Sequence, residues 1–210
     1  MSISKQKSDD HYHHGDLRNA LIQAGVELLQ DEGMDKLSLR KLARKVGVSH
    51  NAPYMHFKDK EGLLAAITEE GFNLLAANLR QVLADAGDDW YTRFEVGCLG
   101  YVEFVLAHPG HVEVMFRYYD PEVYPDASTA ALQALQILVD TISDGQQQGL
   151  AAPQDSRYWA TLTWSMLHGV AMMFNSGKIP YPMLRGNPPS WLVKDFLKMF
   201  YTGLAPRTEQ

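Results

Sequence analysis

The amino-acid sequence predicts an all-α protein, because apolar residues recur with helical spacing along almost the whole chain. Alternating apolar and polar runs, which would indicate half-buried β-strands, are essentially absent. Glycines and prolines interrupt the periodic stretches where helices would end. With 210 residues, of which 46% are hydrophobic, the chain is long enough for a small head and a larger helical body.

The head is predicted to contain three helices. The first helix starts near Leu17, with Asp16 as its N-cap, and ends near Gly33, where a left-handed conformation favours glycine. The second and third helices fall between residues 38 and 57 and are joined by a tight turn. The sequence therefore predicts a compact N-terminal bundle.

A long connecting helix and five body helices are predicted downstream of the head. Their approximate bounds are 58–87, 90–107, a short segment after 109, 129–147, 155–174 and 190–204. These elements define four segments: an N-terminal arm at 1–15, a helix-turn-helix domain at 16–60, a connecting helix at 61–87 and a C-terminal domain at 88–210.

Residues 38–57 carry the strongest functional signal in the chain. The apolar positions of 39–46 lie at i, i+3, i+4 and i+7, so this segment has one apolar helical face. Ser38 can cap this helix, Gly47 can end it, and Ser49 can cap the next helix. Two short helices joined in this way are typical of helix-turn-helix domains, whose second helix enters the major groove of DNA.

The charge distribution also indicates DNA binding by the head. Residues 36–60 contain seven Lys and Arg residues against one Asp, a local charge of +6, whereas the whole chain carries −6. A focused basic patch is enough to neutralise phosphates and to release counterions. The acidic remainder of the chain limits non-specific binding.

Other compositional features favour a cytoplasmic protein without a membrane partner. No apolar region follows Lys5 and Lys7 as in a signal peptide, and no apolar run approaches the ~18 residues of a membrane span. Cys98 is the only cysteine, so no internal disulfide exists. The His-rich arm and the pair His108 and His111 are poor metal sites, and we predict neither a metal nor a cofactor.

Two parts of the sequence resemble the tetracycline-repressor-like (TetR-like) transcriptional regulators of bacteria. The segments YHHGDLRNALIQAGVELL and GVSHNAPYMHFKDKEGLL, within 12–64, are similar to the head of one branch of this family. Trp164, His168 and Gly169 resemble the Trp-His-Gly signature of that branch's C-terminal domain. The resemblance implies an all-α fold, with a three-helix DNA-binding head and a ligand-binding body that dimerises. Asn51 and Met55 depart from the family's pattern, so the operator sequence is not implied.

We predict eight DNA-contacting residues in the head. Ser38 and Arg40, at the start of the supporting helix, can reach a phosphate. Asn51 can pair with N6 and N7 of adenine, although its position is equally compatible with a solvent-exposed residue. The tyrosine, histidine and lysine that follow resemble the phosphate contacts of the family. The eight residues are Ser38, Arg40, Ser49, His50, Asn51, Tyr54, His56 and Lys60.

We predict an effector cavity in the body, enclosed by the helices at 90–107, 129–147 and 155–174. A stripe of Met and aromatic residues at helical spacing is more often ordinary core, and His168 could equally be a satisfied buried histidine. The scarcity of charge in the set favours a small apolar or aromatic effector. The candidate lining residues are Tyr101, Phe104, Met115, Phe116, Tyr119, Leu135, Trp164, His168 and Met172.

The last two helices are predicted to form a homodimer interface. The final helix carries more apolar surface than a lone terminal helix should expose. Paired with the helix at 155–174, it would form a four-helix contact across a two-fold axis. The apolar residues of the final helix are Trp191, Leu192, Phe196, Met199 and Phe200.

Together these features predict a homodimeric, ligand-responsive repressor that binds double-stranded operator DNA with a roughly palindromic sequence. An activator of the same family remains an alternative. An enzyme using His168 as acid or base is disfavoured, because a nucleophile, a carboxylate partner at helical spacing and a phosphate loop are missing from the sequence. A DNA-binding structural protein without an effector would require a packed body with no cavity.

Overall fold

The computed structural model describes residues 14–117, 119–177 and 187–204, and all regular structure in these ranges is helical. This confirms the predicted all-α class. Two 3₁₀ segments, Met34–Lys36 and Ala52–Met55, interrupt the α-helices. The α-helices are α1 (His14–Glu32), α2 (Leu39–Val46), α3 (Lys60–Asp85), α4 (Trp90–Ala107), α5 (Pro109–Met115), α6 (Pro125–Gln147), α7 (Ser156–Asn175) and α8 (Pro189–Leu204).

The chain divides into two compact units, residues 1–64 and 65–210, and the division falls within α3. The first unit, the head, contains α1, α2, both 3₁₀ segments and the first turn of α3. The second unit, the body, contains the rest of α3 and α4 to α8. No helix in the described ranges combines the length and the apolar character that crossing a bilayer requires.

Local capping explains the bounds of α2. The Ser38 hydroxyl oxygen accepts a hydrogen bond from the Lys41 backbone N–H at 3.3 Å. Gly47 ends the helix with φ 79°, in the left-handed region that favours glycine. Both predicted ends of α2 are therefore confirmed. Gly33 follows α1 with φ 78° and ψ 170°, a positive φ that favours glycine but not the left-handed helical conformation expected there. Helix α1 begins at His14, so Asp16 lies inside the helix and does not precede it as a cap.

The third helical element of the head is a 3₁₀ segment and not the α-helix expected after Ser49. Its backbone bonds span three residues, from Ala52 N–H to the Ser49 carbonyl at 3.0 Å and from Tyr54 N–H to the Asn51 carbonyl at 3.1 Å. Asn51 precedes the segment and forms no side-chain cap. Pro53 has no N–H group to donate. A segment of four residues can also form few hydrogen bonds of the α-helical i to i−4 kind, so the 3₁₀ form is favoured.

Trp90 anchors the core of the body. Its ring stacks on Phe94 with centroids 5.5 Å apart, and its indole N–H donates to the Thr141 carbonyl at 2.7 Å. The hydrogen bond to Thr141 joins α4 to α6. Helix α6 begins at Pro125, four residues before the predicted start, because proline suits the first helical position. Most of the predicted arm and of the proline-rich loop at 179–190 lies outside the described residues.

Candidate nucleic-acid interface and effector cavity

Five side chains border one shallow cleft on the head: Arg40, Arg44, His50, Asn51 and Tyr54. Helix α2 supplies the two arginines one turn apart, and the segment before and within the second 3₁₀ turn supplies the others. All five are exposed. The cleft therefore presents two guanidinium groups beside amide, imidazole and phenol groups, which can contact phosphates and base edges.

Two lysines of α2 pair with carboxylates of α1 at the surface of the head. The Lys45 ammonium lies 2.8 Å from the Glu27 carboxylate, and Lys41 pairs with Glu32. The hydrogen bond to Glu27 raises the pKa of Lys45, and that from Lys41 lowers the pKa of Glu32. The local charge of +6 therefore overstates the positive charge that the head has available for phosphate contacts. Arg44 was not among the predicted contacts, although its i+4 spacing from Arg40 could have identified it.

Lys60 has an intramolecular role that the sequence did not predict. Its ammonium group donates to the Met34 carbonyl oxygen at 2.6 Å, which ties the start of α3 to the first 3₁₀ segment. An ammonium group has three N–H donors, so this bond is compatible with a further contact to phosphate.

The remaining predicted DNA contacts occupy different environments. Ser38 caps α2 through its hydroxyl oxygen, and Ser49 is exposed. His56 is half-buried, with its ring centroid 6.3 Å from that of Phe57. Phe57 is buried and belongs to the core of the head.

The body contains a cavity of about 540 Å³. This volume lies within the range of small-molecule pockets, roughly 300–1,000 Å³. Residues of α3, α4, α6 and α7 line it, together with the segment 115–117 that ends and follows α5. The walls are predominantly apolar, with Phe72, Leu79, Phe94, Leu135, Leu138 and Leu167 among the lining residues.

Six of the nine predicted lining residues face this cavity: Tyr101, Met115, Phe116, Leu135, Trp164 and His168. The other three do not line it. Phe104 is buried against His108, with ring centroids 4.1 Å apart, and Tyr119 is buried beside Tyr124. Met172 is 40% exposed. The contribution of α3 was missed because this helix was assigned only a connecting role, although its apolar positions repeat with helical spacing.

Tyr101, Trp164 and His168 form a hydrogen-bonded cluster in the cavity wall. The indole N–H of Trp164 donates to the Tyr101 hydroxyl oxygen at 3.0 Å, and this oxygen lies 2.9 Å from His168 Nδ1. With Trp164 donating to the Tyr101 oxygen, the Tyr101 hydroxyl can donate to Nδ1, and His168 is then neutral with its proton on Nε2. Burial lowers the pKa of His168 and raises the pKa of Tyr101, so both neutral forms are favoured.

Cys98 and the histidines near α5 have structural surroundings. Cys98 is buried, and burial raises the pKa of its thiol, as expected of a small residue of the core. His111 Nε2 lies 3.0 Å from the Glu70 carboxylate, and His108 Nδ1 lies 2.9 Å from the Phe104 carbonyl oxygen. Across the described ranges, no group of three His, Cys, Asp or Glu residues is arranged to hold a metal ion.

Solved structures resemble this fold over nearly its whole length. A protein of unknown function from Rhodococcus sp. RHA1 is 33% identical, with a TM-score of 0.82 over 94% of this chain and 100% of that one. A bacterial regulatory protein of the tetR family from Rhodococcus RHA1, 19% identical, has a TM-score of 0.68 over 91% of this chain and 98% of that one.

Sequence comparisons connect the chain to regulators. The tetracycline repressor protein class A from transposon 1721 of Escherichia coli is 42% identical over 72 residues, which cover 34% of this chain and 32% of that protein. The match thus spans about a third of that relative. The model of bacterial regulatory proteins of the tetR family matches residues 21–67, and that of the tetracyclin repressor-like C-terminal domain matches 95–187. The chain therefore belongs to the TetR family of bacterial regulatory proteins.

Proposed function

We propose that this protein is a cytoplasmic, DNA-binding transcriptional repressor that acts as a homodimer on a roughly palindromic operator and is released by a small effector. The observation that carries the proposal is the apolar cavity of about 540 Å³ in a chain with a helix-turn-helix head. A structural DNA-binding protein without an effector would instead have a filled body. An activator differs only in where its operator lies relative to the promoter.

The exposed cleft of the head supports DNA binding by the segment 49–54 and the N-terminal part of α2. Arg40, Arg44 and Tyr54 can contact phosphates, which position the head without reading sequence. Asn51 lies beside them and can read adenine in the major groove. In a dimer, two heads would read half-sites about one helical turn, ~34–36 Å, apart.

Substitutions in the head test this proposal. Lys60→Ala and Tyr54→Phe are expected to weaken binding to all duplexes, and Lys60→Ala to reduce the slope of log affinity against log salt by about 0.9. Asn51→Ala should instead reduce discrimination at one base pair by about 1–3 kcal/mol. Fluorescence anisotropy with an operator selected in vitro and with a random duplex, at several salt concentrations, measures both effects.

Lys58→Ala is the matched control for Lys60→Ala. Lys58 is exposed two residues earlier, so its loss removes the same charge without the Met34 bond. Unfolding of the Lys60 variant must also be measured, because the bond to the Met34 carbonyl is lost. Unchanged affinity of a folded Lys60→Ala variant at moderate salt would show that Lys60 does not contact phosphate.

The effector is proposed to act through α3. This helix starts with Lys60 in the head, and its later residues Phe72, Leu75, Leu79 and Leu83 line the cavity. A ligand that favours one position of these residues would favour one position of α3. The two heads of the dimer would then be held at a spacing that does not match the operator. Linkage then requires operator DNA to weaken effector binding by the same factor by which the effector weakens DNA binding.

Trp164→Phe is expected to alter the response to an effector while leaving ligand-free operator affinity nearly unchanged. The change removes the indole N–H that donates to Tyr101 but keeps an aromatic ring in the wall. Trp164→Ala should have a larger effect, with more risk to folding. Operator affinity is measured with and without a ligand found by thermal-shift screening.

Met172→Ala is the control for the cavity variants, because Met172 does not line the cavity. It is expected to change operator affinity equally with and without ligand. The same pattern in the Trp164 variants would assign Trp164 to the core and remove it from the proposed effector site.

The exposed faces of α7 and α8 support the proposed homodimer. Leu162, Met173 and Met199 are exposed apolar side chains on these two helices. Gly169 lies on the same face of α7, and a Cβ atom there would meet nothing within 4 Å in its own chain. A mid-helix glycine costs about 0.5–1 kcal/mol relative to alanine. Close approach of the α7 helix of a second protomer across a two-fold axis would explain why glycine occupies position 169.

A further inference from the structure

We infer that the effector is an amphipathic organic monoanion and that Arg117 binds its anionic group. This inference rests on the proposed function, because it names the ligand chemistry of the same cavity. Arg117 follows α5 closely and is one of the residues that line the cavity. Among the described residues that line the cavity, Arg117 alone carries a full charge at neutral pH when His168 is neutral.

The polar groups of the wall favour an acceptor on the ligand. The Thr141 hydroxyl donates to the Ile137 carbonyl at 2.8 Å, and the Tyr101 hydroxyl lies between Trp164 and His168. His168 retains its Nε2–H, and the guanidinium of Arg117 can supply further N–H groups. Arg117 also has a contact within the protein, but a guanidinium has five N–H donors and can still pair with a carboxylate.

The apolar surface beside Arg117 is aromatic. The Phe116 ring lies 4.1 Å from the His168 ring and 5.9 Å from Trp164, and it meets Phe72 edge to face at 5.7 Å. Most of the other lining residues are aliphatic, with Phe94 and Tyr101 as exceptions. An apolar body would therefore gain affinity by burial among these residues, while a single anionic group would fix its orientation at Arg117. A second charge on the ligand would have no charged partner among the described residues of the wall.

The position of Arg117 also links an anion to α3. Thr68 of α3 donates to the Val114 carbonyl at 3.3 Å, and Glu70 lies 3.0 Å from His111. Both partners belong to α5, whose C-terminal end leads to Arg117. A ligand that shifts the guanidinium group is therefore expected to shift α5, which is hydrogen-bonded to α3.

Two fluorescent dyes with one aromatic skeleton test the inference. N-phenyl-1-naphthylamine is neutral, and 8-anilino-1-naphthalenesulfonate carries a sulfonate on the same skeleton. Both are expected to bind the wild-type protein, with the anion bound more tightly. Arg117→Gln should lower affinity for the anionic dye by roughly tenfold and leave the neutral dye unchanged. The affinity of Arg117→Lys for the anionic dye should lie between those of the wild type and of Arg117→Gln. Lysine keeps the positive charge but lacks the planar guanidinium that can form two parallel hydrogen bonds to an anion.

Arg157→Gln, an exposed position on α7, is the control for charge loss, and Ala131→Trp is the control for cavity occupancy. The first should bind both dyes normally, and the second should bind neither. Competition with the neutral dye then identifies the preferred apolar group of the ligand. Displacement by 2-naphthoate but not by 2-naphthamide would indicate an aromatic acid, and displacement by decanoate but not by decanamide would indicate an aliphatic acid.

The outcomes separate this inference from the proposed function. Equal binding of the two dyes, or equal weakening of both by Arg117→Gln, would overturn the assignment of an anionic effector and leave the cavity as an effector site. Absence of binding by either dye to the wild type, or unchanged binding to a folded Ala131→Trp variant, would overturn the cavity site itself and this inference with it.

Discussion

Glutamate at Leu162 or at Met199 is expected to convert the proposed homodimer into folded monomers and to lower operator affinity by on the order of 10³-fold. These side chains are 38% and 76% exposed in the single chain, so a carboxylate there costs the monomer little. In a closed two-fold interface, each substitution would place two unpaired charges in an apolar contact. A monomer has one head, which provides only part of the binding free energy of two.

Sedimentation velocity and operator anisotropy on the same samples test this expectation. Leu150→Glu is the matched control, because Leu150 is a leucine 39% exposed in the turn after α6, outside both the cavity and the proposed interface. It should leave both the mass and the ligand-free operator affinity unchanged. Point variants are preferable to truncation before Ser190, since α8 buries Val193 and Leu197 in the core. Dimers that persist in both glutamate variants would place the interface elsewhere.

Gly145→Ala is expected to destabilise the body by about 1–3 kcal/mol. A Cβ atom at this position would lie 2.2 Å from Trp90 Cε2, which is far inside van der Waals contact. The indole cannot move freely, because it donates to the Thr141 carbonyl and stacks on Phe94. The free energy of unfolding from urea titration, followed by Trp fluorescence and circular dichroism, measures the loss.

Gly97→Ala provides the matched control, since its new Cβ would meet Leu83 Cδ2 at an ordinary 3.4 Å. The free energy of unfolding of the Gly97→Ala variant should stay within about 1 kcal/mol of the wild-type value or rise slightly, because alanine has a higher helix propensity than glycine. Shortening the neighbour with Trp90→Leu should relieve the clash, so the Gly145→Ala change should cost less in that background. A Gly145→Ala protein as stable as the wild type would mean that α4 and α6 separate easily.

The features predicted correctly from the sequence depend on local chemistry. The helical class, the N-terminal head and the family are confirmed, and Ser38 and Gly47 bound α2 as expected. Capping and periodicity act over a few residues and are therefore visible in the sequence. The assignment to a branch with a Trp-His-Gly signature, the domain bounds and the DNA-contacting residues stay predictions.

The composition of the cavity depended on contacts between distant residues. Tyr101 and His168 are 67 positions apart and meet only because α4 packs on α7. Phe104 and Phe116 are chemically identical, but one stacks on His108 in the core and the other faces the cavity. Helical periodicity identifies a buried face without specifying which neighbour covers it. The lysines of α2 show the same limit, since their pairing with α1 removes charge that the sequence alone attributes to DNA binding.

The buried position of Cys98 has a consequence for chemical reactivity. As the only cysteine in the sequence, buried in the cavity wall with a raised thiol pKa, it is a weak nucleophile towards oxidants and alkylating reagents. A reagent that enters the cavity would compete with the proposed effector for the space beside the thiol. The alkylation rate of the unaltered protein, with and without a ligand, would therefore report how fully the cavity is occupied.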